Sequence, residues 1–297
     1  MTNRIRRLAG SVALLLALAG ATAAQGRAQP GPFSSDRIAV TTRGSGPDIV
    51  LIPGLASHPD LWAAAAKRLQ DRYRLHFVHV HGFAGAPPKA NADGPVSAPA
   101  AEEIARYIKQ AGLKAPALIG HSMGGAIALM AGARHPGLVG RIMAVDMPAA
   151  LGAMFGPPDS WQKMADDLRA RILSDTPGSP TGMLEQMFPG MTSDESAKAM
   201  LAKGLQESHR PTLANAFHEM VLTDLRPELP KIAGPLTLLY VIPANAPIPP
   251  DQYEAAMRAS YGKARGARLI KIENSNHFIQ IDQVARFVQE VDEFMKS

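Results

Sequence analysis

The sequence predicts an α/β fold in which a largely parallel sheet is covered by helices on both faces. Strand-like and helix-like segments alternate from Asp36 to Val145, and the alternation returns at Leu236. This alternation is typical of parallel strands joined by crossover helices. Residues 148–230 lack strand-like runs and mix polar and apolar residues at helical spacing, broken by Pro and Gly. We therefore expect a helical insert between two parts of one α/β domain.

The composition is typical of a globular protein and excludes several kinds of chemistry. Of the 297 residues, 46% are hydrophobic and 19% are charged, which is enough apolar material for a sizeable core. Cysteine is absent from the sequence, which excludes disulfides, thiolate metal ligands and a cysteine nucleophile. The formal net charge is +5. Without the arginines at positions 4, 6 and 7 it falls to about +2, too little and too scattered to indicate a nucleic-acid partner.

The first residues have the pattern of a secretory signal peptide. Three arginines precede an apolar run from Leu8 to Ala21, and small residues follow it. The run is too short to span a bilayer as a helix of about 20 residues. We expect residues 1–24 to be a signal peptide and residues 25–35 a flexible leader. The mature protein would be periplasmic or extracellular, without a stable membrane anchor; an uncleaved amphipathic anchor is the alternative.

The predicted strands are short apolar runs bounded by turn residues, and the predicted helices show apolar residues at helical spacing. The strands are Ile38–Thr42, Ile49–Ile52, Leu75–Val80, Ala117–Ile119, Arg141–Val145, Leu236–Ile242 and Arg268–Ile272. The core helices are Leu61–Leu69, Ala100–Ala111, one that ends near Arg134, one that begins at Gln252, and Gln283–Met295. The insert helices are Trp161–Leu173, Ala197–Glu207 and Leu213–Leu222.

A Gly-x-Ser-x-Gly motif, Gly120 to Gly124, lies directly between a predicted strand and a predicted helix. In this context the motif places a nucleophilic serine on a sharp strand-to-helix turn. Gly120 and Gly124 lack the side chains that would collide there. The turn lifts the hydroxyl out of the sheet, and the helix N-terminus favours negative charge beside it. The sequence therefore predicts Ser122 as a nucleophile.

Three further segments accompany this motif: Arg43–Pro47, Leu51–Gly54 and Asn276–Phe278. Together they resemble the α/β-hydrolase superfamily, in particular its capped, serine esterase-like and lipase-like members. The resemblance covers nearly all of the chain after Asp36.

This resemblance implies a mostly parallel eight-stranded sheet flanked by helices, with a helical cap inserted after the sixth strand. Residues 36–147 and 231–297 would form the two parts of the core, and residues 148–230 would form the cap. It implies no cofactor.

The resemblance also implies a histidine base that follows the nucleophile and the acid along the chain. His277 lies in a polar loop after the last predicted strand and fits that place. His121, inside the motif, is expected to point away from the active serine. His79 and His81 lie two apart and share a face, but no third zinc ligand is evident, so no metal site is expected.

The sequence leaves open which acid orients the histidine. Many relatives place it after the seventh strand, where this chain has only Asn245. Asp146, at the end of the preceding strand, is the favoured candidate. Asp251 is the alternative, although with Glu254 it also fits a helix N-cap and capping box. Glu273, or an incomplete triad, stays open.

Two backbone amides are candidates for an oxyanion hole, those of Met123 and Leu55. Many relatives carry His-Gly where this chain has Pro53 and Gly54, a departure that leaves the backbone donor intact. The insert is rich in methionine, a flexible side chain suited to varied apolar groups. The residues expected to line a substrate pocket are Trp62, Met147, Met154 and Met187.

These residues predict a cofactor-independent serine hydrolase that cleaves a small-molecule ester through an acyl-enzyme. A carboxylesterase for small to medium apolar esters fits best. Serine rather than aspartate in the motif disfavours dehalogenase and epoxide-hydrolase chemistry. Lactonase, carbon–carbon hydrolase and perhydrolase chemistry would use the same residues and stay open, as does a catalytically silent ligand-binding protein. The oligomeric state is not indicated.

Overall fold

The computed structural model describes residues 32–243, 246 and 248–296, which include a single seven-stranded sheet. The order across the sheet is β1-β3-β2-β4-β5-β6-β7. Strand β1 is antiparallel to β3, and the other pairings are parallel. The predicted α/β class with a mostly parallel sheet is confirmed. The strands are β1 (Ile38–Arg43), β2 (Asp48–Ile52), β3 (Arg74–Val80), β4 (Ala117–His121), β5 (Arg141–Val145), β6 (Leu236–Tyr240) and β7 (Arg268–Lys271).

The resemblance implies eight strands, whereas the described residues contain seven. The insert consequently follows the fifth strand of this sheet. The predicted signal peptide and most of the predicted leader lie outside the described residues.

Helices cover both faces of the sheet. Apolar side chains of α2, α3 and α8 pack on one face, and those of α1, α9 and α10 pack on the other. Within the described ranges, no helix has both the length and the apolar character needed to cross a membrane. The helices are α1 (Ala63–Leu69), α2 (Ser97–Gln110), α3 (Met123–Arg134), α4 (Trp161–Ser174), α5 (Met183–Met187), α6 (Glu195–Gln206), α7 (Arg210–Leu222), α8 (Pro250–Ser260), α9 (Ile279–Asp282) and α10 (Val284–Lys296).

The parallel register brings four strand ends together at one edge of the sheet. Ile52 of β2 pairs with Gly120 of β4. His121 of β4 pairs with Val145 of β5, which in turn pairs with Leu239 of β6. The segments that follow these strands are therefore neighbours. In open parallel sheets, ligands bind at this carboxyl edge.

The segment between β5 and β6 contains α4 to α7 and is tied to the core through α7. His209 N–H donates to the carbonyl oxygen of Gly82 at 2.8 Å, just before α7 begins. Thr212 Oγ1 donates to the carbonyl oxygen of Asn91 at 2.8 Å. Further along α7, the Glu219 carboxylate accepts three backbone N–H groups at the start of α2. Successive turns of α7 are thus anchored to the core.

Candidate active site

Ser122 lies at the sharp turn between β4 and α3. Its backbone has φ 52° and ψ −124°, a region that residues other than glycine rarely adopt. Ser122 N–H donates to the carbonyl oxygen of Val145 at 2.8 Å, which ties the turn to β5. A Cβ at Gly120 would collide with the backbone of Gly124, and one at Gly124 would collide with the backbone of Ile52. Both glycines are therefore required for this turn.

His277 and Asp146 form a hydrogen-bonded pair beside this turn. Asp146 directly follows β5 and is 8% exposed. His277 Nδ1 lies 2.6 Å from Asp146 Oδ2, and the N–H of Val241 donates to Asp146 Oδ1 at 3.1 Å. A carboxylate only accepts hydrogen bonds, so Nδ1 carries the proton and Nε2 is the free base. The pair therefore has the geometry that orients an imidazole for proton transfer.

The structure does not bring the other acid candidates to His277. Asp251 is exposed in the first turn of α8, and Pro249 occupies the N-cap position. The capping box expected at Asp251 and Glu254 is therefore wrong, because the helix begins one residue before Asp251. Glu273 is paired with Lys271 at 2.9 Å. Asp146 alone among the three candidate acids contacts the imidazole.

Ser122 and His277 line the same cavity. Among the described contacts, the Ser122 hydroxyl and the His277 ring do not form a direct hydrogen bond. Catalytic hydrogen bonds are often long in ligand-free enzymes and tighten when substrate binds. The absence of this bond in the ligand-free structure is therefore compatible with a nucleophile–base pair.

Two backbone amides are available for an oxyanion next to Ser122. Met123 begins α3, and Leu55 follows the turn at Pro53 and Gly54. A Cβ at Gly54 would lie 3.1 Å from the Ser122 Cβ, so this loop packs directly on the serine. Within the described residues, neither amide donates a hydrogen bond to a protein acceptor. Free amides beside a nucleophile are what an oxyanion hole requires.

The cavity has a volume of about 430 Å³ and a largely apolar lining. Three of the residues expected there, Met147, Met154 and Met187, line it. Phe155 also lines the cavity and is 57% exposed, which places it where the cavity meets solvent. Further apolar lining residues are Leu151, Phe188, Met191, Phe217, Met220, Val241, Met257 and Phe278.

Trp62 is not part of this lining, and its assignment to the pocket is wrong. It is fully buried on the opposite face of the sheet, where its ring lies 5.9 Å from that of Phe287. The reason is that Trp62 immediately precedes α1, whose apolar side packs on α10. The closeness of Trp62 to the Leu55 loop in the sequence does not indicate on which face of the sheet its side chain packs.

Further polar residues that the sequence did not place in the pocket also line the cavity: Ser57, Gln186, Tyr253 and Asn276. Burial and the nearby Asp146 carboxylate raise the pKa of the Tyr253 hydroxyl, which is therefore a neutral hydrogen-bond donor. Lys and Arg are absent from the described lining residues. Apart from Asp146 and His277, the cavity therefore offers an apolar surface with a few neutral donors and acceptors.

His121 also lines the cavity, although the residue is only 1% exposed, and its expected direction away from the active serine stays a prediction. Its ring lies 4.5 Å from that of His277. This contact depends on the path of the loop after β7, which the motif does not contain.

His79 and His81, the two histidines that were considered for zinc, lie outside the described cavity lining. His79 Nε2 is hydrogen-bonded to the carbonyl oxygen of Phe83 at 2.9 Å, and the His79 ring contacts that of His58. Burial lowers the pKa of His79 and of His81. Over the described ranges, no group of three or more His, Cys, Asp or Glu side chains could hold a metal ion.

Comparison with known proteins assigns the family. The model of the alpha/beta hydrolase family matches residues 49–290. The chain therefore belongs to the alpha/beta hydrolase family.

The names of similar proteins describe enzymes that catalyse hydrolysis. The chain is 27% identical to N-formylmaleamate deformylase of Pseudomonas putida, over 85% of this chain and 90% of that protein. It is 25% identical to pimeloyl-[acyl-carrier protein] methyl ester esterase of Aeromonas hydrophila, over 87% of this chain and 99% of that protein. Among solved structures, the enol-lactonase of Burkholderia xenovorans has a TM-score of 0.69 at 20% identity, covering 88% of this chain and 96% of that one. At that identity the likeness is one of fold.

Proposed function

We propose that this protein is a cofactor-independent serine hydrolase that cleaves small to medium apolar carboxylic esters through an acyl-enzyme. The observation that carries the proposal is the His277–Asp146 pair, 2.6 Å apart, in the same cavity as the strained Ser122. A nucleophile, a base and an acid that orients the base are the parts this chemistry needs.

The proposed reaction follows from the position of each group. Ser122 Oγ attacks the ester carbonyl carbon while His277 Nε2 takes its proton. Asp146 accepts the Nδ1–H bond and stabilises the imidazolium. The amides of Leu55 and Met123 hold the oxyanion. His277 then protonates the departing alcohol and later activates the water that releases the acid.

The cavity supports a neutral substrate. Its described lining has no Lys or Arg, and Asp146 supplies a negative charge. A substrate that carries a free carboxylate in addition to its ester group would lose the hydration of that carboxylate without gaining a cationic partner. The esterase name of a relative supports an ester, and cyclic esters would use the same groups. We also propose export, on the signal-like pattern of residues 1–24.

A graded panel of p-nitrophenyl esters tests this function. We expect the butyrate and octanoate to be cleaved faster than the palmitate, as the proposed class of small to medium esters requires. The hemisuccinate, close to the butyrate in size but anionic, should have a kcat/KM at least about tenfold lower.

Ser122→Ala should abolish turnover across the panel with an unchanged circular dichroism spectrum. Ser174→Ala is the matched control, because Ser174 is exposed at the end of α4, away from the cavity lining. Comparable turnover by Ser122→Ala would reject the mechanism. Equal cleavage of hemisuccinate and butyrate would reject the neutral substrate class alone.

A further inference from the structure

The ring of His121 is packed between the two loops that flank Ser122. His121 ends β4, and the residue is 1% exposed. On one side its ring lies 4.5 Å from that of His277 and 4.6 Å from that of Phe278. On the other side, a Cβ at Gly54 would lie 3.0 Å from His121 Nδ1. One side chain therefore contacts both the histidine loop and the oxyanion loop.

A hydrogen bond joins His121 to the backbone of the proposed base. His121 Nε2 lies 3.1 Å from the carbonyl oxygen of His277. A carbonyl only accepts, so His121 Nε2 carries the proton and donates it. The neighbouring residues are held by other bonds, because Asn276 N–H donates to Asp282 Oδ2 at 2.8 Å and Phe278 N–H to the carbonyl oxygen of Met191 at 3.2 Å. In the described residues, His121 is the side chain that is hydrogen-bonded to the backbone of residue 277, whereas Asp146 is bonded to its ring.

We propose that His121 is a positioning residue: its bond to the His277 carbonyl and its ring contacts fix the loop that presents His277 to Ser122. This inference rests on the proposed serine hydrolase function. It assigns a reason for a histidine inside the Gly-x-Ser-x-Gly motif, since the same residue precedes the nucleophile and supports the base.

The charge of His121 fits this role. Complete burial and the neighbouring His277 hold the pKa of His121 well below its usual range, so the ring is neutral. A neutral ring does not repel the imidazolium that forms at His277 during acyl transfer. The Nδ1 atom of His121 is buried without a hydrogen-bond partner among the described residues. The His277 carbonyl oxygen, bonded to Nε2, is therefore the one hydrogen-bond partner of the ring there.

Substitutions at position 121 separate the hydrogen bond from the ring. His121→Phe keeps an aromatic ring and removes the donor, whereas His121→Gln places an amide donor near the position of Nε2. His121→Asn is too short to reach. Because a 1 Å misplacement of a catalytic group can cost about 100-fold, we expect kcat to fall about 10- to 100-fold in His121→Phe and His121→Asn. KM should stay within about threefold, and His121→Gln should recover most of the loss.

His81→Phe is the matched control. His81 is 5% exposed, has a buried Nδ1 without a partner in the described residues, and does not line the cavity. The variant His81→Phe should lower the unfolding midpoint about as much as His121→Phe does, while its kcat stays within about threefold of the wild-type value. Folding of each variant is checked by circular dichroism, and the Gln and Asn pair tests the donor if the Phe variant does not fold.

The rate of labelling by a fluorophosphonate separates failure of this inference from failure of the proposed function. Slow labelling of His121→Phe and His121→Asn at a reactive wild-type serine supports the inference. Wild-type labelling rates in both variants, or equal kcat in His121→Gln and His121→Asn, would overturn it. A wild-type protein that does not react would overturn the proposed function instead.

Discussion

Replacing Glu219 by Gln should loosen the insert from the core and lower the stability of the protein. Glu219 lies on α7, and its carboxylate reaches the start of α2. Oε2 accepts the N–H groups of Val96 and Ser97, each at 2.7 Å, and Oε1 accepts that of Ala98 at 2.8 Å. One side chain of the insert thus satisfies three free amides of a core helix.

The magnitude follows from what an amide can retain. In Glu219→Gln the side-chain carbonyl oxygen could keep two of the three bonds, but the new NH₂ group would face the third N–H. The variant loses one hydrogen bond to a charged acceptor and the attraction between a carboxylate and a helix N-terminus. Together these cost about 2 kcal/mol. For a chain of this length the melting temperature should fall by about 4 °C.

Urea and thermal unfolding, followed by far-UV circular dichroism, measure this effect. The matched control is Glu207→Gln, since Glu207 is an exposed acid of the same insert, 3.8 Å from Lys203 Nζ. Its substitution should cost under about 0.5 kcal/mol. Equal stability of the two variants would refute the conclusion that the Glu219 carboxylate stabilises the contact between α7 and α2.

Two further predictions concern the proposed acid, Asp146, and the buried His81. Asp146→Asn should lower kcat for an activated ester by about 10³- to 10⁴-fold, because His277 loses its orienting carboxylate, while Asp251→Asn should keep kcat within about twofold. The opposite ranking in a steady-state assay would transfer the acid role to Asp251. Burial lowers the pKa of His81 below its unfolded value of 6.5, so its contribution to stability is full above that pH and is lost as the pH falls toward the folded pKa. Urea midpoints measured from pH 6.5 to about pH 5 should therefore fall less steeply in His81→Phe than in the wild type, and parallel slopes would contradict the assignment.

Local pattern was sufficient for the sheet but not for several boundaries. The strand predicted to reach Ile242 ends at Tyr240, because the N–H of Val241 donates to Asp146 instead of continuing the sheet. The helix predicted from Ala100 begins at Ser97. Its first turn is capped by Glu219, more than a hundred residues away in the chain, and no local cap residue marks it. Boundaries set by tertiary contacts do not show in the local sequence.

The site divides in the same way. Ser122 could be predicted because the requirements of its turn lie within five consecutive residues. The choice between Asp146 and Asp251 needed the strand order and the path of the loop that carries His277. The direction of Trp62 and the ring contacts of His121 depended on which elements pack beside them, α10 for the first and the His277 loop for the second.

Stoichiometric labelling by a fluorophosphonate tests most directly whether Ser122 is activated by His277 and Asp146. Mass spectrometry of the intact wild-type protein should show one adduct, and peptide mapping should place it on Ser122. The adduct should be absent from Ser122→Ala and should form orders of magnitude more slowly in His277→Ala. A wild-type protein without an adduct, or one labelled at the same rate after loss of the imidazole, would contradict the account.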